Sequence, residues 1–352
     1  MKTMKTMALV AMMAMSGVAS AHDFAVNING QQVYFDVTNE LKKTAVVTYN
    51  GSIAQQMPTD YKGELTIPTR VEYNGKKYTV VGIGAKAFSG AEKLTGVVMS
   101  TRLTTIGDFA FEGCTALEKV IFPGNQVKFG QGVFFRCDKI ENVTLGSDWK
   151  NVDLKMFRWS DSLATITIPA KMERIQNLKA LKNLETVNVD VNNAKFASID
   201  GVLYNKSGDV LYGCPRAYKG VLKVAEGTKS ITAGALIDCK GITRVDFPTT
   251  LTAMSFRELS RMEQLNEVIL RNEQPMVTAK KGAEEILLLQ VANTDVKIVV
   301  LKSAKKIYKK ALVQEKGEYT EIGGNTPYVV ELNMLPLAKN VVGVKNFNKY
   351  EK

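Results

Sequence analysis

Among the 352 residues of the chain, the side chains that could carry chemistry are few. There is one histidine, His22. Imidazole is the usual ligand of catalytic metals, the usual proton shuttle and the usual activator of serine and cysteine nucleophiles, so a single copy argues against most common enzyme classes. His22 and Asp23 could hold a metal beside a newly formed amino terminus, but a frayed chain end explains the pair more simply. The 35 acidic residues are scattered, and glycosidic chemistry needs two carboxyls fixed across a cleft. No motif gathers such a pair. Cys114, Cys137, Cys214 and Cys239 have no second Cys or His at zinc-ligand spacing. The chain is expected to be a non-enzyme with no catalytic residue, no cofactor and no metal site.

Composition asks instead for a large folded protein: 45% of residues are apolar and 23% charged. Its first residues, Met-Lys-Thr-Met-Lys-Thr, precede an apolar stretch from Met7 to Met15 and then Ala19-Ser20-Ala21. A basic start, a short apolar middle and small residues at the end describe a secretory signal over 1–21, cleaved after Ala21. Removing Lys2 and Lys5 from the 46 basic residues leaves 44 against 35 acidic, a net +9. No cysteine follows the cleavage point, so no lipid anchor is indicated, and no later stretch is long and apolar enough for an integral membrane span. The expected location is outside the cytoplasm: cell surface, secreted or periplasmic.

A repeat then decides the architecture. Leu94, Leu117, Ile140 and Leu163 fall 23 residues apart, each followed at the third and fifth positions by an apolar residue, as in Val120 and Phe122. Phe88, Phe111, Phe134 and Phe157 keep the same register, as do Ile83, Ile106, Phe129 and Val152. The register returns in Ile231, Leu236, Ile242 and Val245, and again in Met254, Leu259, Leu265 and Val268, giving about seven units. One unit cannot bury its own apolar side. Stacked units can, by pairing strand on strand and aligning the apolar columns, so the expected fold is an α+β solenoid of 23-residue units. Three residues after each phenylalanine-column position stand Ala91, Cys114, Cys137, Ser160, Leu181, Cys239 and Met262. That interchange favours space-filling thiols, although adjacent coils would bring Cys114 and Cys137 close enough for a disulfide.

The unit Leu103-Thr-Thr-Ile-Gly-Asp-Phe-Ala-Phe-Glu-Gly-Cys-Thr-Ala-Leu-Glu-Lys-Val-Ile-Phe-Pro123 resembles the BspA-like leucine-rich repeat family, whose units run Ile-Gly-x-x-Ala-Phe-x-x-Cys-x-x-Leu-x-x-Val-x-Ile-Pro. The likeness is strongest over 80–123 and 230–248, and extends from about 76 to 275, with departures at Phe129-Gly-Gln-Gly-Val and Val152-Asp-Leu-Lys-Met. It implies a secreted or surface-exposed protein whose relatives act in adhesion to matrix proteins or other cells. It supplies no shared catalytic residues.

Flanking segments lack the repeat. Residues 22–80 alternate as strands, with Asn74-Gly75 marking a tight hairpin, and read as a β-rich N-terminal cap over the exposed first coil. The repeats occupy 81–275, interrupted near 190–230 by a hairpin insertion read as protruding from the stack. Residues 276–352 form a small C-terminal α/β cap, with a strand at Val296–Val300 and a helix over 303–313 whose Ala304, Tyr308, Ala311 and Leu312 oppose a lysine-rich side. Thin aromatic content and the absence of arginine after Arg271 favour a solvated cap helix and no nucleic acid partner.

Strand alternation directs Val120 and Phe122 inward and leaves Lys119 and Ile121 outward. The same alternation exposes Asn142 and Thr144, Thr165 and Thr167, Thr186 and Asn188, and Arg244 and Asp246. The middle of this row is small, polar and uncharged. It suits hydrogen bonding to an extracellular protein or to a glycan, and equally suits the plain task of keeping a sheet soluble. The expected function is adhesion or protein binding through this face, with a carbohydrate-binding module as the alternative.

Overall fold

A computed structural model describes residues 22–50, 60–255, 257–281, 284–287, 289–292, 295–312, 317–321, 327–330, 337–345 and 347. The expected signal segment, 1–21, and the last residue of the expected helix, Val313, lie outside them. The chain divides into two compact units at Lys182/Asn183.

The first unit opens with strands Phe24–Ile28 and Gln31–Asn39, antiparallel across Asn29 and Gly30, both at positive φ. Strand Thr44–Thr48 adds antiparallel to the second and then pairs in parallel with Lys76–Ile83. Strand Arg70–Tyr73 joins Lys76–Ile83 through Asn74 at φ 50° and Gly75 at φ 69°, the left-handed pair that a two-residue hairpin requires. From Ile83 the same sheet runs on in parallel through Ile106 to Phe129. The N-terminal strands therefore cover the edge that a first coil would leave bare. His22 is not frayed, contrary to expectation. Its ring packs on Tyr34 at 4.5 Å between centroids, and Asp23 accepts the Val37 N–H at 2.7 Å.

A second parallel ladder joins Lys62–Thr66, Lys93–Val98 and Lys119–Ile121, with Leu65, Val97 and Val120 in register. A third set of bonds links the return segments, from Phe88 N–H to Ala110 O, Phe111 N–H to Val133 O and Phe134 N–H to Met156 O, each at 2.8–2.9 Å. Between the coils of 83–99 and 106–122 these three separated contacts fix both spacing and rotation. Between the ladders lies the core. Phe88, Phe111, Phe134 and Phe157 stack with centroids 5.0, 5.3 and 5.1 Å apart and ring planes within 9–13°, and Tyr61 meets Phe88 edge-on. All four rings are buried.

The phenylalanine column has a companion. Cys114 Sγ donates to Phe88 O at 3.2 Å, Cys137 Sγ to Phe111 O at 3.1 Å, and Ser160 Oγ to Phe134 O at 2.6 Å. The small column thus supplies a donor to the carbonyl of the coil before it, a role that space-filling alone does not describe. All four cysteines are free and buried.

At Phe129-Gly-Gln-Gly-Val the ladders are interrupted. Strands Lys128–Phe129 and Asn151–Asp153 belong to different sheets, and the Gln126 side chain stands in for the missing strand bonds by accepting from Lys150 N–H and Asn151 N–H. Phe122, Phe129 and Trp149 fill the space with ring contacts of 5.0–5.9 Å.

In the second unit the segment expected to protrude is built into the core. Strands Phe196–Ile199, Val202–Asn205 and Val210–Gly213 run antiparallel, and the last pairs in parallel with Ser230–Ile231. Val202, Tyr204 and Leu211 are at most 1% exposed and pack with Leu222, Leu236 and Val245. The reading of a hairpin leaving the stack is therefore corrected: its alternate apolar residues face inward.

The principal sheet of this unit joins Gly220–Lys223, Ile242–Phe247, Glu267–Leu270, Lys297–Leu301 and Val341–Val344, all in parallel. Strand stacking continues past residue 275, where the sequence period stops. Val221, Arg244 and Glu267 are spaced by 23, whereas the next partners, Lys297 and then Val341 beside Ile298, follow after longer excursions. Helix Lys305–Ala311 is shorter than expected and anchored by buried Tyr308, whose hydroxyl donates to Asn272 O and Gln274 O.

Burial raises the Cys137 and Cys214 thiols well above the ordinary range, which removes the nucleophilic thiolate. Brief treatment with iodoacetamide at pH 8 is expected to label none of the four cysteines in the folded protein and all four in urea, as read by intact mass; rapid labelling without denaturant would contradict the packing.

Candidate ligand-binding face

The outward residues of the first unit form two short rows. In one ladder Glu64, Gly96 and Lys119 lie in register, and beside them Thr66, Val98 and Ile121. In the next, Asn142 pairs with Thr165 and Thr144 with Thr167. Lys119 Nζ reaches Glu64 Oε2 at 2.8 Å across the intervening strand. Gly96 lies beneath this bridge, and a Cβ there would come within 3.1 Å of the Glu64 Cγ. The pair is about half exposed on both sides and contributes little to stability. It does neutralise Lys119, which the sequence presents as a free cation. Ile121 stands beside it, 43% exposed.

Asn142 and Thr144 are exposed, and Thr165 and Thr167 half-buried. Among the described residues no side-chain hydrogen bond engages these four groups. Threonines of the other strand column behave differently: Thr104, Thr250 and Thr252 each donate to a carbonyl of the preceding coil at 2.8–3.2 Å. Three hydroxyls and one amide are therefore left facing outward on a two-strand patch, with successive strands about 4.8 Å apart. Such a patch offers donors and acceptors without charge.

Thr186 and Asn188 lie on strand Thr186–Val189 of the second unit, half-buried and exposed respectively. Arg244 and Asp246 lie on strand Ile242–Phe247, and here the expectation is corrected. Asp246 is 2% exposed and accepts a bidentate pair from Arg271, at 2.7 Å to Nε and 2.6 Å to Nη2. The carboxylate in turn holds the guanidinium proton more tightly, raising its pKa. Arg244 is half-buried, 3.7 Å from Glu267, which also meets Lys297 at 3.2 Å. Ile269, the register partner of Asp246 on the next strand, is fully buried against Val299 and Phe347. Arg271 sits over the Phe347 ring at 4.9 Å. The cause is covalent: the chain returns through Val344 and Phe347 and covers the strand face that the repeat pattern leaves open.

The structure thus brings together Asn142, Thr144, Thr165 and Thr167 and places Lys119 and Ile121 in the neighbouring ladder. It holds Asp246 in a buried ion pair with Arg271. Sequence reading missed Glu64. Its signal is present, because Leu65-Thr66-Ile67-Pro68 repeats the inward-outward-inward spacing of Val120-Ile121-Phe122-Pro123 one coil before the recognisable repeats. Tyr204 is buried, whereas Tyr212 is 43% exposed and packs edge-on against Phe196. No group of three or more His, Cys, Asp or Glu among the described residues could hold a metal ion. No described helix is long and apolar enough to cross a membrane.

Removing one partner of a buried ion pair strands the other. Asp246→Ala is expected to cost about 3 kcal/mol in urea unfolding, whereas Glu64→Gln, in the exposed pair, should cost under about 0.5 kcal/mol; equal effects would refute the distinction.

No curated protein matches the chain. Similar solved structures include the pneumococcal vaccine antigen PcpA, 17% identical with a TM-score of 0.42, covering 82% of this chain and 96% of that one. A leucine-rich repeat protein from Eubacterium ventriosum is 18% identical with a TM-score of 0.45, covering 81% and 78%. One from Bacteroides ovatus is 18% identical with a TM-score of 0.35, covering 81% of each chain. The family model described as BspA type Leucine rich repeat region matches residues 77–207 in six copies, a narrower span than the resemblance read from 76 to 275. The likeness to that family therefore rests on residues 77–207.

Proposed function

We propose that this is an exported, non-enzymatic binding protein that holds an extracellular protein against the patch formed by Asn142, Thr144, Thr165 and Thr167, with Ile121 as its apolar margin. The observation that carries this reading is the set of side-chain hydrogen-bonding groups left without an internal partner on an exposed strand pair. Backbone amides of a partner can meet hydroxyls spaced at the strand repeat, and a neutral patch asks no charged partner for desolvation. Support also comes from the repeat itself, since stacked units create extended surfaces suited to macromolecules.

In this reading residues 1–21 are removed on export, 22–80 are an N-terminal cap, 81–275 carry the binding surface and 276–352 are a C-terminal cap. The location is the cell surface, the medium or the periplasm. Protease added to intact cells, with a fractionation control, separates these three.

Purified mature chain is expected to bind at least one of a panel of extracellular-matrix proteins and mucins, and the triple variant T144K/T165K/T167K, folded by circular dichroism, to lose that binding by at least tenfold. Equal binding by both would remove the patch. Binding on a glycan array with no protein ligand would replace the proposal with the carbohydrate-binding alternative.

A further inference from the structure

Some lysines elsewhere in the chain are matched by an acid on the neighbouring coil. Lys150 pairs with Glu173, Lys171 with Asp148 and Lys240 with Glu263, each 23 residues away and within 3.6 Å. No lysine of the C-terminal helix has such a match among the described residues. Residues 297–312 and 337–347 contain eight lysines and no aspartate or glutamate, and of the eight only Lys297 has an ion-pair partner among the described residues.

Geometry gathers the remainder. Lys302, Lys306, Lys309 and Lys310 are exposed along helix Lys305–Ala311 and the turn before it, on the side away from buried Ala304, Tyr308 and Leu312. The Lys302 N–H donates to Val344 O at 2.8 Å, which sets exposed Lys345 beside the start of this row. Lys305 runs over Gly343, where a Cβ would meet its side chain at 3.2 Å. Lys306 precedes Lys310 by one turn, as Lys305 precedes Lys309, so like charges face one another along a seven-residue helix. Nothing within the segment compensates them. The helix keeps its place because Tyr308 is anchored, and the cost of the repulsion would be relieved by an anion outside.

From this we infer that the helix face is a second interaction surface, for a sulfated or phosphorylated polysaccharide. Lysine binds anions as a point charge without demanding the planar, bidentate geometry that arginine reads, which suits a flexible polyanion. Stacking of nucleobases needs exposed rings, and the only described aromatic of the helix, Tyr308, is fully buried. Insertion into a bilayer needs an apolar side, and Ile307, at 41% exposure, is the only large apolar side chain that the helix exposes. The surface is separate from the neutral threonine patch and does not depend on it.

Retention of the mature chain on heparin and on dextran sulfate, against uncharged dextran, tests the inference. Wild type is expected to bind both sulfated polymers and elute with salt, and K306E/K309E/K310E to lose binding by at least tenfold at 0.1 M salt. Lys→Gln changes at the same three positions should lower the log–log salt slope by about 2. Changing Lys139, Lys171 and Lys240 to Gln, an equal loss of charge elsewhere, should leave retention unchanged. No retention of wild type, equal retention on uncharged dextran, or an equal effect of the two lysine-to-glutamine sets would overturn it. So would tighter binding to a 30-base-pair DNA or to anionic phospholipid vesicles than to the sulfated polymers.

Discussion

Every coil of the repeat region depends on the coil beside it for its backbone hydrogen bonds. A segment of 23 residues cannot form a sheet alone, so its amides are satisfied only when equivalent amides of a neighbour lie one strand spacing away. The three lines of bonds in the first unit enforce that spacing, and the phenylalanine stack at 5.0–5.3 Å occupies the interior it creates. Ring and strand separations agree closely because parallel, in-register coils carry rings and strands forward by the same step. Cys114, Cys137 and Ser160 complete the pattern by giving a second donor to carbonyls that already accept one N–H within their own turn.

Departures from regularity have local causes. Around Phe129 the strand bonds give way to a glutamine side chain and an aromatic cluster, so the interior remains filled while the ladder is broken. In the second unit long excursions intervene between paired strands, yet the parallel sheet continues. One excursion returns to cover the strand face with Val344 and Phe347. That cover turns an expected surface into a small second core, with the Asp246–Arg271 pair at its side. The two proposed surfaces divide by chemistry: a neutral hydroxyl patch in the first unit and a lysine face in the second.

Much of this was legible in the sequence, for identifiable reasons. Columns such as Phe88, Phe111, Phe134 and Phe157 announce themselves because burial constrains residue type at a fixed interval, and Asn74-Gly75 because few residues adopt left-handed backbone. Asn142, Thr144, Thr165 and Thr167 followed from simple alternation. What alternation could not show was which outward positions another part of the chain would cover. Asp246 and Ile269 have the same spacing as exposed residues, yet Arg271 claims the first and Val299 and Phe347 cover the second. Nor could a period of 23 detect the later strands, since register in a sheet is set by hydrogen bonding and tolerates loops of unequal length. The segment 190–230 was misread for the same reason: its turn chemistry was visible, but its inward partners were distant in sequence.

Deleting one whole coil tests this picture most directly. Excising residues 88–110 joins Ala87 to Phe111 and preserves every column, whereas excising 88–98 shifts all later columns by half a coil. The account predicts that the first deletion leaves a cooperatively unfolding, β-rich protein by circular dichroism in urea, and that the second abolishes cooperative unfolding. Loss of cooperative folding in both deletions, or its retention in both, would contradict the claim that interchangeable coils hold this protein together.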